Sequence, residues 1–148
     1  MLFSKQVSAK EKVFALFFKG MKEENFQEFC EKFCEKKIPE SIRKEMLEMF
    51  LRDLETQELV IIASASLEDY LLPFVKKYSE KVRVIGTKIE KKNGIITGKF
   101  IGENCSKLEK IKRIVEIVDL SEAYIKVFTD GHNDKPLMFL GNEIHLIK

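Results

Sequence analysis

Near Thr56 the apolar residues stop recurring at helical spacing and begin to fall into short strand-like runs separated by helical stretches, so two packing regimes share one chain. Before that point the recurring sets are Val13, Phe14, Phe17 and Phe18, then Phe26, Phe29, Cys30, Phe33 and Cys34, then Ile42, Met46, Met49 and Phe50. They predict three amphipathic helices, the first two separated by Gly20 and the third entered at Pro39 and Ser41. A phenylalanine stripe of this period reads as a helix-packing core rather than a ligand-binding wall. After Thr56, Leu59–Ala63 is a short β-branched run suited to a strand covered on both faces, and a helix follows from Leu67 to about Tyr78. Val82–Glu90 and Ile95–Phe100 flank Asn93-Gly94, two residues that accept positive φ cheaply, and so predict a hairpin. A helix over Ser106–Val118, a strand over Ala123–Thr129, a short helix over Lys135–Leu140 and a strand over Ile144–Ile147 complete the pattern. The expectation is an α/β fold, with residues 1–56 as a helical lobe and 57–148 as an α/β core.

Composition narrows what such a fold does. The 148 residues carry 26 basic and 24 acidic side chains, a net charge of +2, interspersed so that no long-range field favours nucleic acid or an anionic membrane. No apolar run approaches the roughly 18 residues of a membrane span, and the amino terminus lacks signal-peptide character, so a cytoplasmic protein with no nucleic-acid or membrane partner is expected. Three cysteines at irregular spacing do not form a disulfide framework. Cys30 and Cys34 lie one helical turn apart, but zinc sites usually need four ligands and neither histidine is near in sequence, so both read as core.

In open α/β sheets ligands bind beyond the carboxyl ends of strands, which singles out three groups. Ser64-Ala-Ser66 follows the first strand. Ser66 and Asp69 match an S-x-x-D capping box, so capping and phosphate binding at a helix amino terminus are both open. Asn104-Cys-Ser-Lys-Leu-Glu-Lys110 contains a second such box, Ser106 and Glu109, which places Lys110 in the first helical turn. A cation there opposes the helix dipole by about 0.3 to 1 kcal/mol, a mild cost that an anionic ligand would reverse. Asp130 ends a later strand, Gly131 allows a sharp turn, and Asp134 is placed to cap a helix with Pro136 in its first turn. Capping accounts for Asp134 and leaves Asp130 as a carboxylate at a strand end, suited to Mg²⁺.

The order S-A-S after a strand, N-x-x-x-x-x-K at a helix start and D-G-x-N-D after a later strand resembles motifs two, three and four of the haloacid dehalogenase superfamily, closest to subfamily IB, which includes phosphoserine phosphatase. ASASLEDYLLPF, VIGTKIEKKNGIITGKFIGENC and LEKIKRI are similar to that subfamily, and AKEKVFALFFKGM with the next two helices resembles its helical cap. The resemblance implies a Rossmannoid parallel sheet and Mg²⁺-dependent hydrolysis of a small phosphomonoester, phosphoserine being one candidate. It also implies roles: Ser64, with Ser66 beside it, binds the phosphoryl group, Lys110 neutralises it, Asp130 binds Mg²⁺ and Asp134 supports that loop.

The D-x-D-x-T motif that the family places after its first, central strand, with the attacking aspartate, occurs nowhere in the sequence. The expectation is therefore an incomplete sheet, shortened at the amino terminus, with low activity alone. The gap would be closed by rearrangement, a homodimer or a complementing amino-terminal segment. A non-catalytic phosphate- and Mg²⁺-binding module, or one half of a split phosphatase, is the alternative.

Overall fold

The computed structural model describes residues 7–131 and 134–147. Asn133 of the D-G-x-N-D motif lies outside them. Four helices come first: α1 (Ala9–Phe18), α2 (Glu23–Lys36), α3 (Ile38–Ser41) and α4 (Lys44–Thr56). Ser8 caps α1 by accepting the Glu11 N–H at 3.1 Å. The third predicted helix is two, because Pro39 starts the short α3 and Ile42 is extended before α4 begins.

Then follow β1 (Ile61–Leu67), α5 (Glu68–Lys76), β2 (Arg83–Lys92), β3 (Ile95–Ile101), α6 (Leu108–Val115), β4 (Lys126–Thr129), α7 (Lys135–Met138) and β5 (Glu143–Leu146). The architecture is mixed α/β, with two small sheets among the described residues. One has the order β1-β2-β3, with β1 and β2 parallel and β2 and β3 antiparallel; the other pairs β4 with β5 in parallel. The strands β1 and β4, which the resemblance sets on either side of a further strand, belong to different sheets. No described helix is long and apolar enough to cross a membrane.

The hairpin turns where the sequence predicts, with Asn93 at φ 51° and Gly94 at φ 72°. Its tip is also paired to the α1–α2 turn. Gly20 donates to the Ile96 carbonyl at 2.8 Å, Ile96 to Met21 at 2.9 Å, and Glu23 to Gly94 at 2.8 Å. Gly98, at φ +84°, lets α1 lie against β3, since a Cβ there would sit 3.0 Å from the Cβ atoms of Ala15 and Lys19. Beside it the buried Glu11 carboxylate accepts the Phe100 N–H at 2.8 Å.

Three apolar clusters follow from this packing. The first joins Phe14, Phe26 and Cys30 to Ile89, Ile96 and Phe100, each large side chain contributing about 1.5–3 kcal/mol by burial. The second sets Cys34 and Phe50 against Phe74, Val75 and Val82. The third gathers Ile85, Cys105 and Ile114, with Ile61 and Ala63 of β1 and Leu137 and Leu140 around α7. The phenylalanine stripe thus only partly forms core: Phe17 is 68% and Leu16 80% exposed. Apolar residues at 13, 14, 16, 17 and 18 surround α1 on more than one face, and only the Phe14 and Phe18 side meets α2.

Candidate functional site

Ser64 and Ser66 lie within β1, not beyond it. Ala63 pairs with Ile85 and Leu67 with Thr87, so four steps along β1 face two along β2 and the chain bulges between. Inside the bulge Ser66 N–H donates to Ser64 Oγ at 3.1 Å, a serine turn that fixes the first hydroxyl. Backbone groups freed by the bulge find side chains. Gly86 N–H donates to Glu68 Oε1 at 2.9 Å, and the Ala65 carbonyl accepts from Thr87 Oγ1 at 2.7 Å. A Cβ at Gly86 would stand 2.9 Å from the Ser66 carbonyl, so this approach of β2 requires glycine.

The capping box predicted for Ser66 and Asp69 does not form. Leu67 occupies the cap without a side-chain bond, and Asp69 instead pairs with Lys91 at 2.9 Å. The pairing holds α5 to the hairpin, a partner that local spacing could not reveal.

Lys110 lies in the first turn of α6, as predicted, but Ser106 and Glu109 do not cap it. Lys107 precedes the helix at φ 50°, ψ −122°, a conformation that costs a residue with a side chain about 1–3 kcal/mol. Glu109 turns to Arg113 at 2.8 Å. The Arg113 guanidinium then donates to the carbonyls of Gly86 and Glu103, tying α6 to β2 and to the loop ahead of it.

Asp134 begins α7, yet its carboxylate makes no cap bond there. Its Oδ1 instead accepts from Lys110 Nζ at 2.5 Å, with the two side chains 21% and 8% exposed. The predicted cap gives way because a buried ammonium needs a counter-charge more than a short helix needs its terminal N–H groups bonded. Asp130 follows β4 directly and is exposed, at the rim of an apolar groove lined by Met138, Phe139, Ile144 and Leu146.

The fold therefore joins two of the predicted residues, Lys110 and Asp134, in one ion pair. It ties the serine bulge to them less directly, since Ala63 packs in the same cluster as Ile114 of α6 and Leu137 of α7. Among the described residues no group of three or more His, Cys, Asp or Glu side chains converges as a metal site. Mg²⁺ usually takes only one or two protein carboxylates with water and phosphate oxygens, a donor set to which Asp130 is suited.

Sequence reasoning missed Thr87, Lys10 and Arg113. The signal for Thr87 was present: Ile85, Thr87 and Ile89 share a period of two and are all buried, so a hydroxyl stands where an aliphatic side chain belongs.

The family described as haloacid dehalogenase-like hydrolase matches residues 1–138. Among solved structures, a protein of unknown function from Bordetella pertussis Tohama I superposes with a TM-score of 0.78 at 18% identity, over 95% of this chain and 65% of that one. At that identity the likeness is one of fold, and the chain spans 65% of the length of the solved protein. No curated protein matches the chain.

Proposed function

Because the chain belongs to the haloacid dehalogenase-like hydrolases, we propose that it carries the phosphate-handling part of a Mg²⁺-dependent hydrolase of small phosphomonoesters. The observation that supports this most is the Lys110–Asp134 pair, which holds a buried cation in the first turn of α6 against a residue four positions after Asp130 in sequence. In phosphoryl transfer the protein chiefly positions cations and hydrogen-bond donors around negative charge. On this reading Lys110 neutralises the phosphoryl oxygens, Ser64 and Ser66 donate hydrogen bonds to them, and Asp134 holds the Lys110 side chain in place. Asp130 is the carboxylate that would hold Mg²⁺. The ion, when bound, supplies positive charge against the phosphoryl group.

An attacking carboxylate is the part these residues do not provide, since D-x-D-x-T is absent from them. Among the described residues β1 and β4 each pair on one side only, so a strand that brings such a carboxylate has two edges to bond. With no attacking carboxylate among these residues, the second reading is a non-catalytic module that binds phosphate with Mg²⁺. Phosphoserine is one candidate substrate, the cytoplasm is the proposed compartment, and the partner is a complementing segment or a second copy.

The test mixes the purified chain with a synthetic strand peptide bearing D-x-D-x-T and follows phosphate release from small phosphomonoesters with Mg²⁺. Release that requires the peptide and disappears in Lys110→Met and Asp130→Asn is the expected result. Orthophosphate binding by the chain without release, peptide present, would favour the binding module; neither binding nor release would sink both readings.

A further inference from the structure

The one fully buried hydroxyl of β2 stands where three segments meet. Thr87 is 0% exposed, and its Oγ1 lies 2.7 Å from the Ala65 carbonyl and 2.9 Å from Asn104 Oδ1, while it accepts the Cys105 N–H at 3.1 Å. A threonine hydroxyl has one proton to give and two lone pairs to receive. Its proton goes to the Ala65 carbonyl, the shorter contact, and the Cys105 N–H takes a lone pair. Asn104 Oδ1 has a separate donor, Lys10 Nζ of α1 at 2.8 Å, and the same ammonium reaches the Ala65 carbonyl. The bulge that carries Ser64 and Ser66, the loop that leads to Lys110, and the first helix are thus bonded around one side chain.

We infer that Thr87 is a positioning residue. Its hydroxyl, with Lys10 as second donor, sets the serine bulge of β1 against the Asn104–Cys105 loop, and so fixes the spacing of Ser64 from Lys110. The inference rests on the phosphate-binding reading for its function but not for its structure. A purely hydrophobic position would prefer valine, which matches threonine in shape and packs beside Ile85 and Ile89 at no cost in volume. Threonine is needed because the loop presents Cys105 N–H to the interior, a donor that valine would leave buried and unbonded, and because the Ala65 carbonyl, stripped of its ladder partner by the bulge, would keep only the Lys10 ammonium. Lys10 comes from α1, so the position of the helical segment is transmitted to the serine bulge through the same carbonyl.

The test uses the full chain with Thr87→Val, Thr87→Ser and Lys10→Met. Amide hydrogen exchange is read at Ser66 and Cys105 against the remote Ile96, together with the shift of those amides on titration with orthophosphate and Mg²⁺. In Thr87→Val, exchange at Ser66 and Cys105 should rise by about tenfold relative to Ile96, and orthophosphate affinity should fall by about tenfold. Thr87→Ser should restore both, and Lys10→Met should loosen Ser66 with Cys105 little changed. Exchange that rises equally at all three amides, or not at all, would overturn the positioning role. If exchange follows the expected pattern while the unaltered chain shows no phosphate-induced shift, the joint stands and the phosphate reading falls.

Discussion

Cys30 of α2 is 1% exposed, and burial pushes its thiol up to about 12, with the Asp69 carboxylate adding to the rise and the Lys91 ammonium opposing it. Burial likewise raises Cys34 and Cys105. An unfolded thiol titrates near 8.5, so above that pH the unfolded chain gives up protons that the folded chain keeps. Stability is therefore whole below about pH 8.5 and falls as pH rises toward 12, by at most about 1.4 kcal/mol per unit for Cys30. Urea midpoints at pH 8 and pH 10 should fall less in Cys30→Ala than in the unaltered chain; equal falls would show that this thiol is not what titrates. At the same scale, the positions of Lys110 in the first turn of α6 and of Asp130 after β4 were legible because strand ends and helix starts show in local spacing. Asp134 was legible as a position but not as a partner, because its ion pair joins residues 24 apart in sequence. Thr87 could be read as a hydroxyl at an inward position of β2, but not as a joint, because its three partners lie 17 to 22 residues away and nothing beside it in sequence marks them.

At the scale of elements, the hairpin was the most readable unit, since Asn93-Gly94 sets its own turn geometry. The end of β1 was the least readable. Its extension through Ser64-Ala-Ser66 depends on Glu68 and Thr87 bonding the backbone of the bulge and of the strand opposite, contacts that exist only after β2 has docked. The packing of α1 on β3 makes a prediction of its own. Gly98→Ala places a side chain at φ +84° and 3.0 Å from Ala15 and Lys19, and should cost about 1–3 kcal/mol in strain before any clash is counted. Gly94→Ala, at φ +72° but in open space, should cost less. Thermal unfolding of the two variants measures the difference, and equal losses would mean that α1 does not press on the hairpin.

Across the whole molecule, the two sheets differ in how they are held. Ile85 and Ile89 of β2 are buried between clusters, whereas β5 exposes Ile144 by 43% and Leu146 by 60%. Native-state hydrogen exchange should accordingly find the β4–β5 amides opening at least about tenfold faster than those of Ile85–Ile89. A single protection level throughout would show that the two sheets unfold as one unit. The mixed α/β class was legible from the change of period near Thr56; the division into two sheets leaves no periodic trace, because it lies in pairing between distant strands, and only the resemblance, which sets a further strand between β1 and β4, pointed to it. The pairing of the hairpin with the first helices also bears on how the chain is made. Glu11 waits for Phe100, 89 residues later, and ribosomes add roughly 5–20 residues per second. For roughly 4 to 18 s the aromatic faces of Phe14 and Phe26 are made before the strands that will cover them, so the nascent helical segment exposes apolar surface until β2 and β3 follow.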